Sequence, residues 1–166
     1  MKTKTIQLYE YHELSEKAKL RALRDWNENN DMPFLQSMLN DECGQLLKEH
    51  DIECVSNHPV CLYSLSHCQG DGLMFEGEFY WRGLNIKITH SGHYYHKYCR
   101  RIETIDKYFS SEQEEKEFCA IYESICDKLE RYGYDIIDEE TSEAHFIDLC
   151  NEMGYTFRED GTIENE

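Results

Sequence analysis

The sequence predicts an α+β fold, an antiparallel β-meander packed against several helices in a single domain, residues 1–166. The stretch from Cys61 to Cys99 is rich in strand-forming residues and is punctuated by glycines, as expected for a meander. The segments on either side carry apolar residues at helical spacing. A chain of 166 residues, 40% of them apolar, is long enough to bury a core without disulfide bonds.

The first third is predicted to form an edge strand and two helices. The strand covers residues 4–11, where strand-forming side chains prevail. Ser15 suits the N-cap of a helix over residues 16–27. Pro33 suits the first turn of a second helix that reaches about residue 50. The apolar face of that second helix is predicted to consist of Leu35, Met38, Leu39, Leu46 and Leu47.

The middle third is predicted to supply the meander. Short strands are expected at residues 52–56 and 60–67. Residues 73–81 and 84–90 alternate between apolar and polar side chains, which is typical of strands with one buried face. A further strand is expected to run from residue 95 to residue 105.

The last third is predicted to be helical. Ser111 and Glu114 form a capping box that opens a helix to about Tyr132, with Gly133 as its stop. Thr141 or Ser142 caps a shorter helix that ends at Gly154, and a hairpin follows. The side chains that we expect in the core are Leu62, Phe75, Phe79, Ile86, Ile88, Phe118, Ile121 and Ile125.

Charge is distributed unevenly along the chain. The net charge is −17, and residues 111–166 carry 4 basic and 18 acidic side chains, whereas residues 57–110 carry 6 and 5. Direct nucleic-acid binding is disfavoured, because phosphate contacts need a basic footprint. A basic protein partner is favoured. The acidic side chains that we expect to be exposed and to bind it are Glu112, Glu115, Asp127, Glu130, Asp138, Glu139, Glu140 and Glu143; the alternative is a face that only confers solubility.

The eight cysteines are expected to be reduced thiols. The N-terminus has no signal-peptide core and no run approaches the ~20 apolar residues of a membrane span, so we expect a cytoplasmic protein without membrane contact. Cytosolic thiols are kept reduced. Most of the cysteines are therefore expected to be small buried residues, and a minority to be metal ligands.

Two histidine and cysteine clusters are candidate zinc sites. The first is Cys54-x3-His58-x2-Cys61 with Cys68 as the fourth ligand. The alternative is His90, His93, His96 and Cys99, which recur at every third residue. On an extended strand His90 and His96 lie roughly 20 Å apart, so a shared metal requires a bend at residues 91–92. The competing interpretation is that these side chains pack in the core or on the sheet.

The Gln69-Gly70-Asp71-Gly72 turn is a candidate binding loop. Gln69 and Asp71 are its polar contacts. In the alternative interpretation the turn is structural, and Asp71 bonds its own loop. The turn is not a phosphate loop, because it lacks the Gly-Lys-Ser/Thr ending and a following helix. No serine lies in a nucleophile elbow.

Three motifs resemble those of a family of small proteins encoded by bacteriophages and prophages, some labelled antitoxin-like. The motifs are Tyr-Glu-Tyr-His-Glu followed by Leu14-Ser-Glu-Lys-Ala-Lys, Ser66-His-Cys-Gln-Gly-Asp-Gly-x-x-Phe-Glu-Gly, and Ile88-Thr-His-Ser-Gly-His-Tyr-Tyr-His. The resemblance implies a phage origin and a role in infection. It implies no catalytic residues. The cysteines and histidines between Cys54 and Cys68 depart from the family pattern.

This resemblance and the charge lead to one hypothesis and two alternatives. The chain is expected to be a phage-encoded, anti-CRISPR-like inhibitor of a bacterial defence system in the host cytoplasm. Its acidic surface would occupy the basic nucleic-acid channel of a CRISPR effector. The alternatives are an antitoxin-like binder of a toxin, and a small metal- or histidine-dependent enzyme acting through His90, His93 and His96.

Overall fold

The computed structural model describes residues 6–56 and 58–164, and the α+β prediction is confirmed within them. This part of the chain contains four α-helices, a five-stranded antiparallel sheet and a two-stranded hairpin. It forms two compact units. One runs from Pro33 to Ile136, and the other combines the described residues up to Met32 with those from Ile137 onward.

The unit from Pro33 to Ile136 is built on the five-stranded sheet. Its strands are β1 (Glu53–Cys54), β2 (Val60–Ser64), β3 (Gly72–Trp81), β4 (Leu84–His90) and β5 (Arg100–Thr104). Strands β2 to β5 follow one another as antiparallel neighbours, and β1 pairs with the later part of β3. The predicted meander is therefore confirmed.

The apolar positions of β3 and β4 form most of the sheet's share of the core. Phe79 and Ile86 are fully buried, and they lie opposite each other in the β3–β4 register. Leu62 is only half-buried, contrary to expectation, because Cys61 takes the buried position of β2. Strand β5 begins later than predicted, since the preceding residues form a loop in which Ser91 N–H donates to the Cys99 carbonyl at 2.9 Å.

Two helices of this unit contact the sheet. They are α2 (Leu35–Glu49) and α3 (Glu112–Glu140). The predicted stop at Gly133 is wrong, because α3 continues through it and buries Ile136 one turn later. A β carbon at position 133 would lie 2.5 Å from Leu65 Cδ1, so this glycine permits close packing. Ile121, expected in the core, is half-buried.

One tyrosine joins α3 to β3. The Tyr122 hydroxyl donates to the Phe75 carbonyl at 3.0 Å and accepts from the Phe75 N–H at 3.3 Å. Cys61 lies opposite Phe75 in the β2–β3 register. Its N–H donates to Asn40, and its carbonyl accepts from Gln36. Helix α2 thus covers the outer edge of β2 with two amide side chains.

The second unit packs two helices against a small hairpin. Its elements are a 3-10 helix (Tyr11–Glu13), α1 (Glu16–Asn29), α4 (Glu143–Met153), β6 (Thr156–Phe157) and β7 (Ile163–Glu164). Ser15 and Ser142 cap the two helices as predicted, and Gly154 ends α4 in the left-handed conformation. The core of this unit consists of Tyr11, Leu14, Ala18, Ala22, Phe146, Cys150 and Phe157.

The predicted strand over residues 4–11 is not formed by its described part. Residues 4 and 5 lie outside the described chain. Tyr9 makes an isolated bridge with Phe157 through two hydrogen bonds of 2.8 Å, and the 3-10 helix begins at Tyr11. Glu13 accepts from the Glu10 N–H at 2.8 Å and thereby bends the chain. Among the described residues, none of the helices is long and apolar enough to cross a membrane.

Candidate functional site

The Gln-Gly-Asp-Gly turn is closed by Asp71. Its carboxylate accepts hydrogen bonds from the Ser66 N–H at 2.7 Å, the Cys68 N–H at 3.0 Å and the Ser64 hydroxyl at 3.1 Å. The Tyr134 hydroxyl donates to it at 2.6 Å. These donors, Tyr134 foremost, hold the pKa of Asp71 well below its usual range. The carboxylate therefore organises its own loop, as in the structural interpretation.

Tyr134 is the partner of Asp71 that sequence reasoning missed. It lies on α3, 63 residues after Asp71, and its ring stacks on His67 with centroids 4.6 Å apart. The pKa of Tyr134 is raised to about 12, mainly by burial and secondly by the hydrogen bond to Asp71. No local pattern links two residues at that separation. Gln69 is exposed beside this anchor and is the part of the turn that faces solvent.

The loop over residues 91–99 lies against the same turn. A β carbon at Gly72 would lie 2.9 Å from the Tyr95 carbonyl, and one at Gly70 would lie 3.1 Å from the Tyr94 ring. The structure thus brings together the two motifs that the sequence places about 20 residues apart. Tyr94 and Tyr98 are 62% and 63% exposed on this loop, so two aromatic rings face solvent there.

The histidines of this loop make local contacts. His90 Nε2 lies 3.2 Å from the Tyr94 carbonyl, and His96 Nδ1 accepts from the Tyr98 N–H at 3.4 Å. His93 is exposed and Cys99 is half-buried. Among the described residues, these side chains do not form a group of three or more that would hold a metal ion.

The first zinc candidate is also dispersed. Cys54 lies opposite Phe79 and Cys61 opposite Phe75, four positions apart on β3, and four strand residues span roughly 13 Å. The Cys61 thiol is buried and donates to the Leu39 carbonyl at 3.4 Å. His58 and Cys68 are exposed. The arrangement expected from the spacing is not formed by the described residues, and zinc binding stays a prediction.

The expected acidic surface is largely exposed, and part of it is paired. Exposed members are Glu112, Glu115, Asp127, Asp138, Glu139 and Glu143, whereas Glu130 and Glu140 are half-exposed. Glu140 lies 3.4 Å from His145, and Glu143 accepts from Tyr11 at 3.0 Å. Asp127 accepts from Lys97 at 2.6 Å, so this carboxylate ties α3 to the loop over residues 91–99.

Two further ion pairs join α3 to the sheet. Arg82 makes a bidentate pair with Glu117 at 2.7 and 2.9 Å. Arg100 donates to Glu123 at 2.6 Å, and its guanidinium lies 4.9 Å above the Tyr122 ring. Sequence reasoning missed these pairs. The signal was present in the contrast between a middle third with 6 basic and 5 acidic side chains and the strongly acidic helix that follows it.

Two acidic side chains of α3 make no ion pair of this kind with another described residue. Within residues 6–56 and 58–164, no ion pair involves Glu115 or Glu130. Helix α3 carries eleven acidic and three basic residues, so an excess of negative charge persists after the pairs with the sheet are formed. Glu115 is exposed and Glu130 is half-exposed, so this excess of negative charge faces solvent at both positions.

Comparison with known proteins identifies no relative. No protein-family model, no curated protein and no solved structure matches this chain. The resemblance to phage-encoded proteins therefore stays a prediction.

Proposed function

We propose that this chain works by protein–protein binding and presents the acidic flank of α3 to a basic partner. The observation that carries the proposal is the uncompensated acidity of that helix, where Glu115 and Glu130 have no ion pair among the described residues. Both lie on one flank, since 15 residues at 100° each leave them about 60° apart around the axis. A solvated flank of one sign attracts the opposite sign over a Debye length of ~8 Å.

The partner class follows from competition with nucleic acid. Proteins that hold a nucleic-acid strand line the binding channel with lysine and arginine. A helix that offers carboxylates at the surface is complementary to such a channel. We therefore propose an inhibitor that competes for the basic channel of a host protein such as a CRISPR effector, within a bacterial cytoplasm and as part of a phage-encoded anti-defence activity.

A paired set of charge reversals tests the proposal. The test variant carries Glu115→Lys and Glu130→Lys. The control variant carries Asp41→Lys and Glu42→Lys on α2, which changes the net charge equally within the same unit. Purified CRISPR effectors with bound fluorescent target DNA serve as probes, and displacement of the DNA is measured between 50 and about 300 mM salt.

The wild-type chain is expected to displace DNA, less effectively as salt rises. The test variant is expected to associate roughly tenfold more slowly, and the control variant within about twofold of wild type. Simultaneous binding of the chain and the target DNA by one effector would contradict the proposed competition. A failure of every tested effector to bind the chain would contradict it as well. Equal loss in both variants would mean that only total charge matters.

A further inference from the structure

Strand β5 forms an open edge of the sheet. Its one strand neighbour in the described chain is β4. The Ile105 N–H donates to the Asn85 carbonyl at 2.8 Å, and the Ser91 N–H donates to the Cys99 carbonyl at 2.9 Å. These bonds bracket the ladder and show that odd-numbered residues of β5 point their backbone groups toward β4. The backbone groups of Ile102 and Thr104 therefore point away from the sheet.

At the opposite edge of the meander, two outward-pointing backbone groups of β2 have hydrogen-bond partners. There the Cys61 N–H and carbonyl, which also point outward, are satisfied by Asn40 and Gln36 at 2.9 Å each. In the described chain, no side chain or loop does this for Ile102 or Thr104. An edge with unpaired N–H and C=O groups is a template for another strand.

A groove of about 600 Å³ runs along the open edge. It is bounded by β5, the connection that follows it and the first turn of α3. Its apolar and aromatic lining residues are Ile102, Tyr108 and Phe109, and its charged lining residues are Glu103, Glu112 and Glu115. All of the charged side chains in the lining are therefore acidic.

The walls of the groove are held by specific contacts. The Phe109 ring lies 6.0 Å from the buried Phe118 ring. Ser110 donates to Glu114 through its N–H at 2.7 Å and through its hydroxyl at 2.6 Å. Tyr108, in contrast, is 90% exposed at the rim. The groove is thus preformed and carries an exposed aromatic side chain of the kind that anchors interfaces.

We propose that this groove receives an extended, basic segment of the partner, which adds to β5 as a sixth strand. The proposal rests on the proposed function and names where the partner enters. Strand addition at an exposed edge draws affinity from main-chain hydrogen bonds and specificity from alternate side chains. The outward groups of Ile102 and Thr104 supply the hydrogen bonds, and the acidic lining selects lysine or arginine.

The charges favour this occupant over a second copy of the chain. Two copies that paired through β5 would bring the acidic linings of both grooves together, and like charges across an interface oppose binding. Glu103 and Glu112 are held by Arg101 at 2.8 Å and Lys116 at 2.6 Å, but both pairs are exposed and exchange readily for a partner's cations. Glu115 has no such pair among the described residues.

A displayed library of random 12-residue peptides, selected against the full chain, tests the groove. Enriched peptides are synthesised with a fluorescent label, and their dissociation constants are measured by anisotropy. We expect sequences in which basic and apolar residues alternate. Selection of acidic peptides, the absence of enrichment, or a chain that dimerises through β5 would overturn the proposal.

Variants at the edge give the decisive comparison. Thr104→Pro removes the outward N–H and leaves the bonds to β4 intact, so peptide affinity is expected to fall about tenfold, whereas Thr104→Val keeps it within about twofold. Glu115→Lys is expected to weaken binding about fivefold, and Glu130→Lys, outside the groove, to leave it within about twofold. Equal binding by Thr104→Pro and Thr104→Val would refute strand addition.

Amide hydrogen exchange supplies a measurement that does not depend on the proline variant. In the wild-type chain, bound peptide is expected to slow exchange at Ile102 and Thr104, and unchanged exchange there would refute the proposal. The strand-addition proposal and the proposed function can fail independently. If Glu130→Lys weakens effector binding while Thr104→Pro does not, the acidic helix binds the partner and the edge strand does not.

Discussion

Replacing Tyr122 with phenylalanine removes one oxygen atom from the contact between α3 and β3. That hydroxyl donates to the Phe75 carbonyl at 3.0 Å and accepts from the Phe75 N–H at 3.3 Å. Both residues are 1% exposed. The backbone groups of Cys61, across the register, are already bonded to Asn40 and Gln36. The substitution therefore leaves a buried N–H and a buried carbonyl without partners.

The expected cost follows from those two groups. An unsatisfied buried donor or acceptor costs about 1–3 kcal/mol, so the loss of both partners in Tyr122→Phe is expected to lower the free energy of unfolding by about 2–6 kcal/mol. The ring itself stays, and with it the apolar contacts and the guanidinium of Arg100 above it. Urea unfolding followed by tryptophan fluorescence measures the change. At an m-value of ~2 kcal/mol/M the midpoint is expected to fall by about 1–3 M.

Tyr132→Phe is the matched control on the same helix. The Tyr132 side chain is half-exposed, and its hydroxyl makes no hydrogen bond with another described residue. The control is expected to change the unfolding free energy by less than about 0.5 kcal/mol. A loss below about 1 kcal/mol for Tyr122→Phe would refute the reasoning, because it would mean that Phe75 finds other partners.

Two further predictions concern the loop anchor and a close approach in the second unit. Asp71→Asn is expected to lower the melting temperature at pH 7. Because the pKa of Asp71 in the folded chain is depressed below 3.8, the ionised carboxylate stabilises the fold fully above pH 3.8 and progressively less below it. The difference in melting temperature between variant and wild type should therefore shrink at pH 3. An unchanged melting temperature at pH 7 would contradict this. Gly161→Ala places a β carbon 2.2 Å from the Ala18 carbonyl oxygen at a φ of +89°, whereas Gly154→Ala, at a φ of +66°, meets no atom within 4 Å. Chemical unfolding should show a cost of about 1 kcal/mol for Gly154→Ala and clearly more for Gly161→Ala, and the reverse order would refute the packing.

The elements that the sequence predicted correctly are those whose signals lie within a few residues. Ser15 and Ser142 accept hydrogen bonds from N–H groups three residues later. The alternation over residues 84–90 matches the buried and exposed faces of β4. Gly133 shows the limit of such signals. Glycine ends many helices, but here it lies inside α3, where the absence of a β carbon lets Leu65 pack closely.

The candidate site was predictable in its components and not in its connections. The Asp71 turn, the histidine loop and the acidic helix were each visible from composition and spacing. Their contacts join residues such as Asp71 and Tyr134, or Lys97 and Asp127, that lie 63 and 30 positions apart. The spacing of Cys54, His58 and Cys61 suggested a common metal, but strand pairing places the two thiols opposite different residues of β3.

The sequence by itself determined the fold class, the helix caps and the uneven charge, because each depends on local conformation or on simple composition. The tertiary structure alone decided which carboxylates of α3 are neutralised and which edge of the sheet stays open. Both depend on distances between segments that are remote in sequence. Arg82, Lys97 and Arg100 reach α3 only because the sheet packs against it. Strand β5 is an open edge because no other strand of the described chain pairs with its outer side, whereas α2 covers the edge formed by β2.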